Sequence, residues 1–223
     1  MNKDVPEEVH TQLQSLDLET GRPLIVSDAD EVLFAFMASF ETYLNNQQLS
    51  FDWSSFALTG NIRRESDNEP IDGQLVRDHL RRFFADHTEE MAPVPGAAEA
   101  LDRLSARAQI VVLSNVPLPQ LEARRRALAK HGMDYPLIAN IGAKGGAVQR
   151  LAEQADAPTV FIDDIPHNHT SVRQSAAHVW RLHFVADPRL AALLGPAADS
   201  HHRTDNWSEA LSAIETYLDR HGS

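Results

Sequence analysis

The segment Pro23–Leu33, PLIVSDADEVL, constrains this chain most. Leu24, Ile25 and Val26 form a continuous apolar run, as a strand buried on both faces requires. Two carboxylates one residue apart, Asp28 and Asp30, follow at once, and apolar residues resume at Val32. A strand ending in Asp-x-Asp places concentrated negative charge at the carboxyl edge of a sheet, where open α/β folds bind their ligands.

The rest of the chain repeats that grammar. Leu33, Phe36, Met37, Phe40, Tyr43 and Leu44 recur at three and four, which predicts a helix ended by Asn45-Asn46-Gln47-Gln48. Leu75, Leu80, Phe83 and Phe84 predict a second helix closing near His87. After the break Ala92-Pro93-Val94-Pro95-Gly96 the texture changes. Helix 97–105 leads to strand 108–113, a helix from Pro119 capped by Gly132, and a short strand 137–139. A Gly-rich turn, 142–146, opens another helix, followed by strand 159–162, a helix from about Asn168 and a strand 178–182. A final helix carries Trp207, Leu211, Ile214 and Leu218, with Asn206 and Glu209 in a capping-box pattern. Short apolar strands alternating with helices predict an α/β, Rossmann-like parallel sheet flanked by helices. Residues 34–90 are read as helical, with no strand signal. They form a small helical cap inserted after the first strand, and residues 1–33 and 91–223 form the core.

The formal charge of −12 over 223 residues argues against a nucleic-acid partner, which would want a basic face. Without cysteine there are no disulfides or thiolate metal sites. The amino terminus has no apolar run of the kind a signal peptide needs. No segment approaches the roughly 18 apolar residues that span a bilayer. The expectation is a cytoplasmic protein with no membrane partner, its oligomeric state undefined.

Three strands end in polar groups: Asp28/Asp30, Ser114/Asn115 and Asp163/Asp164. In a parallel sheet these ends share one edge, and Lys144, in the Gly-rich turn, is a fourth candidate for it. Carboxylates so crowded need a cation. Mg²⁺ suits an all-oxygen set and keeps room for a substrate phosphate. A hydroxyl, an ammonium and acidic groups around a metal are the equipment of phosphoryl transfer, in which a carboxylate can be the nucleophile.

These four pieces, in this order, resemble the motifs of the haloacid dehalogenase superfamily: Asp28-Ala29-Asp30-Glu31-Val32, Leu113-Ser114-Asn115, Lys144, and Ile162-Asp163-Asp164. The resemblance spans residues 24 to about 182, with the insert where the family carries its helical cap of the first type. It implies that Asp28 is nucleophile and metal ligand. Asp30 would be the general acid/base, with its carbonyl on the metal. Ser114, Asn115 and Lys144 would bind phosphate, and Asp164 would bind Mg²⁺ with Asp163 in support. Members that cleave carbon–halogen bonds lack the second acid, so Asp30 points to a phosphatase for a small phosphorylated metabolite. The alternatives are a phosphomutase and a catalytically degenerate binding or regulatory protein on the same fold. A bacterial receiver domain uses similar groups in a different chain order and without such an insert. Glu31 is a departure, because the family usually has Gly there.

Other polar residues have plainer readings. Arg124-Arg125-Arg126 is read as a solvated helix face. His167-Asn168-His169 is read as surface loop, and His201-His202 likewise. Phe51, Trp53 and Phe56 are expected to form the cap's own small core. Arg63 and Arg64, in the polar loop of the insert, could reach a second anionic group of a substrate, the less favoured reading of the two.

Overall fold

The computed structural model describes residues 5–221. Its centre is β1 (Leu24–Ser27), buried at all four positions. β4 (Gln109–Ser114) lies on one side of it and β6 (Thr159–Asp163) on the other, both parallel to it. β5 (Leu137–Ala139), β7 (Trp180–Phe184) and β8 (His202–Thr204) extend the sheet to six strands in the order β5-β4-β1-β6-β7-β8. All five pairings are parallel.

Alternate strand residues face opposite layers. Ile25, Ile110, Val112, Val160 and Ile162 join one apolar cluster, with Leu101, Leu128, Trp207 and Ile214. These last come from α4 (Ala97–Ser105), α5 (Leu121–Lys130) and α9 (Trp207–His221). Leu24, Val26, Val111, Leu113 and Phe161 join a second cluster, with Val9, Leu13, Val148, Leu151 and Val172. Its helices are α1 (Glu7–Gln14), α6 (Gly145–Ala155) and α7 (Pro166–Ser175). With both faces covered, the central strands β1, β4 and β6 have no polar face, which explains their apolar runs.

The insert holds α2 (Phe36–Asn46) and α3 (Gly73–His87), whose N-cap Asp72 accepts from the N–H groups of Gln74 and Leu75. It is not purely helical as the sequence reading had it. β2 (Leu49–Phe51) and β3 (Ile62–Arg64) pair antiparallel, Phe51 opposite Ile62. Three residues per strand are too few to carry a period-2 signal, and that concealed the ribbon. The aromatic centre of the insert also differs from expectation. Phe36, Phe40, Tyr43 and Phe83, from α2 and α3, pack with ring centroids 5.1–5.9 Å apart. Phe51 packs edge-on to Trp53, but Phe56 is 47% exposed. The buried residues of the insert are continuous with the first cluster of the sheet.

At the other end, α8 (Pro188–Leu193) precedes β8, an edge strand too short and polar to be read from sequence. α9 starts as predicted, Asn206 Oδ1 accepting from Glu209 N at 2.9 Å. The Glu209 carboxylate, however, takes the Thr204 hydroxyl rather than completing a capping box. Trp207 Nε1 donates to the Val32 carbonyl at 2.8 Å, so α9 braces the loop after β1. Among the described residues no helix is long and apolar enough to cross a membrane.

Candidate active site at the carboxyl edge of the sheet

Lys144 stands at the N-cap of α6, and its approach to the sheet depends on the next residue. A Cβ on Gly145 would lie 2.3 Å from the Ser171 carbonyl oxygen, so only glycine lets α6 and α7 close to this distance. The buried Lys144 ammonium lies 2.7 Å from Asp28 Oδ1 and 2.7 Å from Asp163 Oδ2. Burial works against the ammonium, but Asp163 and Asp28 outweigh it and raise Lys144 above the ordinary lysine value. Burial raises Asp28 to about 7, with Lys144 opposing and Asp163 and Asp30 adding.

The carboxylates differ in how much of their acceptor capacity is used. Asp163 takes the Lys144 ammonium, the Asn168 amide at 2.9 Å and the Ile165 N–H at 2.9 Å. Asp28 Oδ1 takes Lys144 and the Ala29 N–H at 2.7 Å, and its Oδ2 receives no donor from any described residue. Asp164 receives none on either oxygen. Burial first, then Asp163, Asp28 and Glu31, raise Asp164 well above its ordinary value. One oxygen from each of Asp28, Asp163 and Asp164 lies within 4.8 Å of the other two. Three carboxylates against one ammonium leave an excess negative charge, and the unpartnered Asp164 sets its position. An oxygen-seeking divalent cation fits this donor set.

The backbone around the cluster is pinned by residues that the sequence reading passed over or misplaced. His167-Asn168-His169 is not surface loop but the first turn of α7, because Pro166 at the N1 position starts the helix two residues earlier than expected. His167 is exposed, whereas Asn168 and His169 are buried, His169 Nε2 lying 2.9 Å from the Asp163 carbonyl. His183, at the end of β7, lies 2.9 Å from the Asp164 carbonyl through Nε2. Its Nδ1 faces two donors, Ala197 N at 3.1 Å and Arg203 Nη1 at 3.2 Å. Nδ1 must therefore accept, and the proton sits on Nε2, aimed at Asp164. Burial lowers His183 to about 4, with Arg203 adding and the Asp164 carbonyl opposing.

Glu31 occupies the left-handed region, φ 58°, which accounts for glycine being favoured at this position. Its buried carboxylate accepts from Met37 N at 2.6 Å and Asp187 N at 3.0 Å. It thereby ties the turn after β1 to the first turn of α2 and to the start of α8. Burial raises it to about 7, although both N–H groups pull it down.

Asp30 lies apart from the three clustered carboxylates. Its Oδ1 is 2.6 Å from Nη2 of Arg124. Arg124 is not on a solvated face but 0% exposed, on the side of α5 that also buries Ala127 and Leu128. Arg125 and Arg126 do lie outside, paired with Glu122 and Glu89. A triple-Arg run carries no mark of which member faces inward, and Asp30 is the partner that makes the burial tolerable. Ser114, buried at the end of β4, accepts from Val116 N at 3.1 Å and keeps its own hydroxyl proton unengaged among the described residues. Asn115 donates to the Gly142 carbonyl and accepts from Asn140, so its amide ties two loops of this edge together. Arg63 and Arg64 pair within the insert, with Asp52 and Asp67. His201 and His202 are exposed, and His201 Nδ1 accepts from Arg181 N.

No protein-family model matches the sequence, and no curated protein sequence does. Solved structures do. A haloacid dehalogenase family hydrolase from Deinococcus radiodurans, with bound phosphate and sodium, is 16% identical at a TM-score of 0.60, over 89% of this chain and 97% of that one. CbbY from Rhodobacter sphaeroides, in complex with phosphate, is 18% identical at 0.55, over 83% and 95%. The L-2-haloacid dehalogenase of Xanthobacter autotrophicus is 12% identical at 0.54, over 86% and 98%. The chain has the haloacid dehalogenase-like fold. Two of these relatives hold phosphate and one cleaves a halogen, so the fold does not choose the reaction.

Two outcomes follow from the braces. The folded His183 value lies below the unfolded one, so its contribution is fully present above about pH 6.5 and lost as pH falls toward 4, on the order of 3 kcal/mol in all. Asp28 and Glu31, raised to about 7, contribute with the opposite sign over the same window in both proteins, so the difference in urea-unfolding stability between native protein and His183→Gln isolates the histidine, and that difference should shrink as pH falls from 7 to 4. Glu31→Gly relieves a left-handed residue, worth about 1 kcal/mol, but removes two charge-assisted hydrogen bonds of roughly 1.5 kcal/mol or more each. Its unfolding midpoint should fall, and an unchanged midpoint would mean the tie contributes no more than the relieved strain.

Proposed function

We propose that this chain is a Mg²⁺-dependent phosphatase of the haloacid dehalogenase type, acting on a small phosphorylated molecule through an aspartyl-phosphate at Asp28. The observation that carries the reading is the unequal use of the Asp28 oxygens. Lys144 and the Ala29 N–H fix Oδ1, while Oδ2 is left with a free lone pair beside the Asp163/Asp164 pair. A carboxylate held by one oxygen and free at the other is oriented for in-line attack on phosphorus.

Mg²⁺ would be held by Asp28 and Asp164, with Asp163 in the same cluster but already committed to Lys144, Asn168 and the Ile165 N–H. When bound, it supplies positive charge that both the ionised carboxylates and a phosphate need. Asp28 Oδ2 forms the bond to phosphorus as the ester oxygen leaves. Lys144 steadies the nucleophile and offsets charge on the transferring group. The free hydroxyl of Ser114 is a donor for a phosphoryl oxygen at the same edge. Water then displaces the phosphoryl group from Asp28 and restores it. Residues 34–90 act as the cap over this edge and bear on substrate choice, and the −12 charge favours a small substrate over a nucleic acid. The resemblance assigns protonation of the leaving oxygen to Asp30, whose carboxylate is held by Arg124.

Phosphate release from a panel of monoesters tests the reading. It should require Mg²⁺, stop with EDTA, and fall on the order of 10³-fold or more in Asp28→Asn. Equal turnover in all three conditions would remove the phosphatase assignment.

A further inference from the structure

The Arg124–Asp30 pair carries a consequence for which phosphoryl donors the site accepts, and it rests on the reading above. Arg124 Nη2 lies 2.6 Å from Asp30 Oδ1, its guanidinium carbon is 4.8 Å from the centre of the Phe34 ring, and Nη1 touches Met91 Sδ at 3.9 Å. Its Nε is buried without a partner among the described residues. Among the described residues, Asp30 is the sole carboxylate paired with this guanidinium. If the Asp30 side chain swung toward a leaving group, a desolvated cation would be left facing an aromatic ring and a thioether, a costly arrangement. The backbone leaves no slack either. Leu33 N and Phe34 N both donate to the Ala29 carbonyl at 2.8 Å, and Glu31 N donates to the Phe34 carbonyl at 2.8 Å, closing the loop around Asp30.

We infer that Arg124 is a positioning residue that withholds Asp30 from protonating the leaving group, and that the site is thereby selective for acyl phosphates, whose leaving group departs as a carboxylate. In the first step the Asp28 Oδ2–phosphorus bond forms and the phosphorus–oxygen bond to the acyl group breaks. The electron pair stays on the departing carboxylate, delocalised over two oxygens, and no proton is consumed. In the second step water adds to phosphorus and the bond to Asp28 breaks, its electron pair returning to the Asp28 carboxylate. One hydrogen of the water remains on the phosphate and the other passes to solvent. The sum is acyl phosphate plus water giving carboxylate, hydrogen phosphate and one proton. An alkyl phosphate would have to expel an alkoxide without help, a step that general acid catalysis otherwise accelerates by about 10²–10⁴-fold.

Full-length protein with Mg²⁺, assayed on acetyl phosphate, phenyl phosphate and glycerol 3-phosphate against EDTA blanks, tests this. Expected kcat/KM falls in that order, with acetyl phosphate ahead of glycerol 3-phosphate by on the order of 10²-fold or more. In Arg124→Met, which keeps the volume and removes the pair, the rate on glycerol 3-phosphate should rise and the ratio shrink at least about 10-fold. A purely structural role would lower all three rates together and leave the ratio fixed, which would overturn the inference. Comparable wild-type rates on all three donors would overturn it without any variant, should Arg124→Met not fold. No Mg²⁺-dependent turnover of any donor would instead remove the phosphatase reading, and this inference with it.

Discussion

The contact on which this molecule turns is the Lys144 ammonium between Asp28 and Asp163, 2.7 Å from each. It joins the carboxyl ends of two adjacent strands, β1 and β6, to the start of α6. Without that cation, three carboxylates within 4.8 Å would repel one another at the buried end of the sheet. With it, one negative charge is absorbed and a surplus remains at Asp164. A donor set with a fixed cation and carboxylate oxygens still without donors suits a second, oxygen-seeking cation.

Much of the fold serves to keep that contact in register. Gly145 lets α6 and α7 meet closely enough for Lys144 to reach the sheet. Asn168, His169 and His183 hold the Asp163-Asp164 backbone and the Asp163 side chain from two further elements. Glu31 and Trp207 hold the turn after β1 from the insert, α8 and α9. The machinery is small, and the scaffolding around it is drawn from most of the chain. The fold itself is shared with solved structures to which less than one residue in five of this sequence is identical.

The central strands were legible in the sequence because burial on both faces forces an apolar run, and a carboxylate directly after such a run stands out. Lys144 was legible through its place in order among the strand ends. What escaped were features whose meaning is set by a distant partner. Arg124 looks like its neighbours Arg125 and Arg126 until Asp30 is brought to it across 94 positions of chain. His183 lies in an ordinary strand, and its role comes from the Asp164 carbonyl, Ala197 and Arg203. The β2–β3 ribbon and β8 are three residues per strand, shorter than any periodicity can register. Glu31 was visible as an anomaly at a glycine position, but the two N–H groups that fix it there belong to α2 and the start of α8.

On the proposed function, Asp28, Lys144 and the acidic pair together form a phosphoryl-transfer site that takes a divalent cation. Isothermal titration with beryllium fluoride, with and without Mg²⁺, addresses it without needing the natural substrate, since this anion mimics a phosphoryl group on a carboxylate. Saturable binding near one equivalent, dependent on Mg²⁺ and lost when Asp28 is replaced by Ala, is the predicted result. A folded protein that takes up neither Mg²⁺ nor the phosphate mimic would contradict the account.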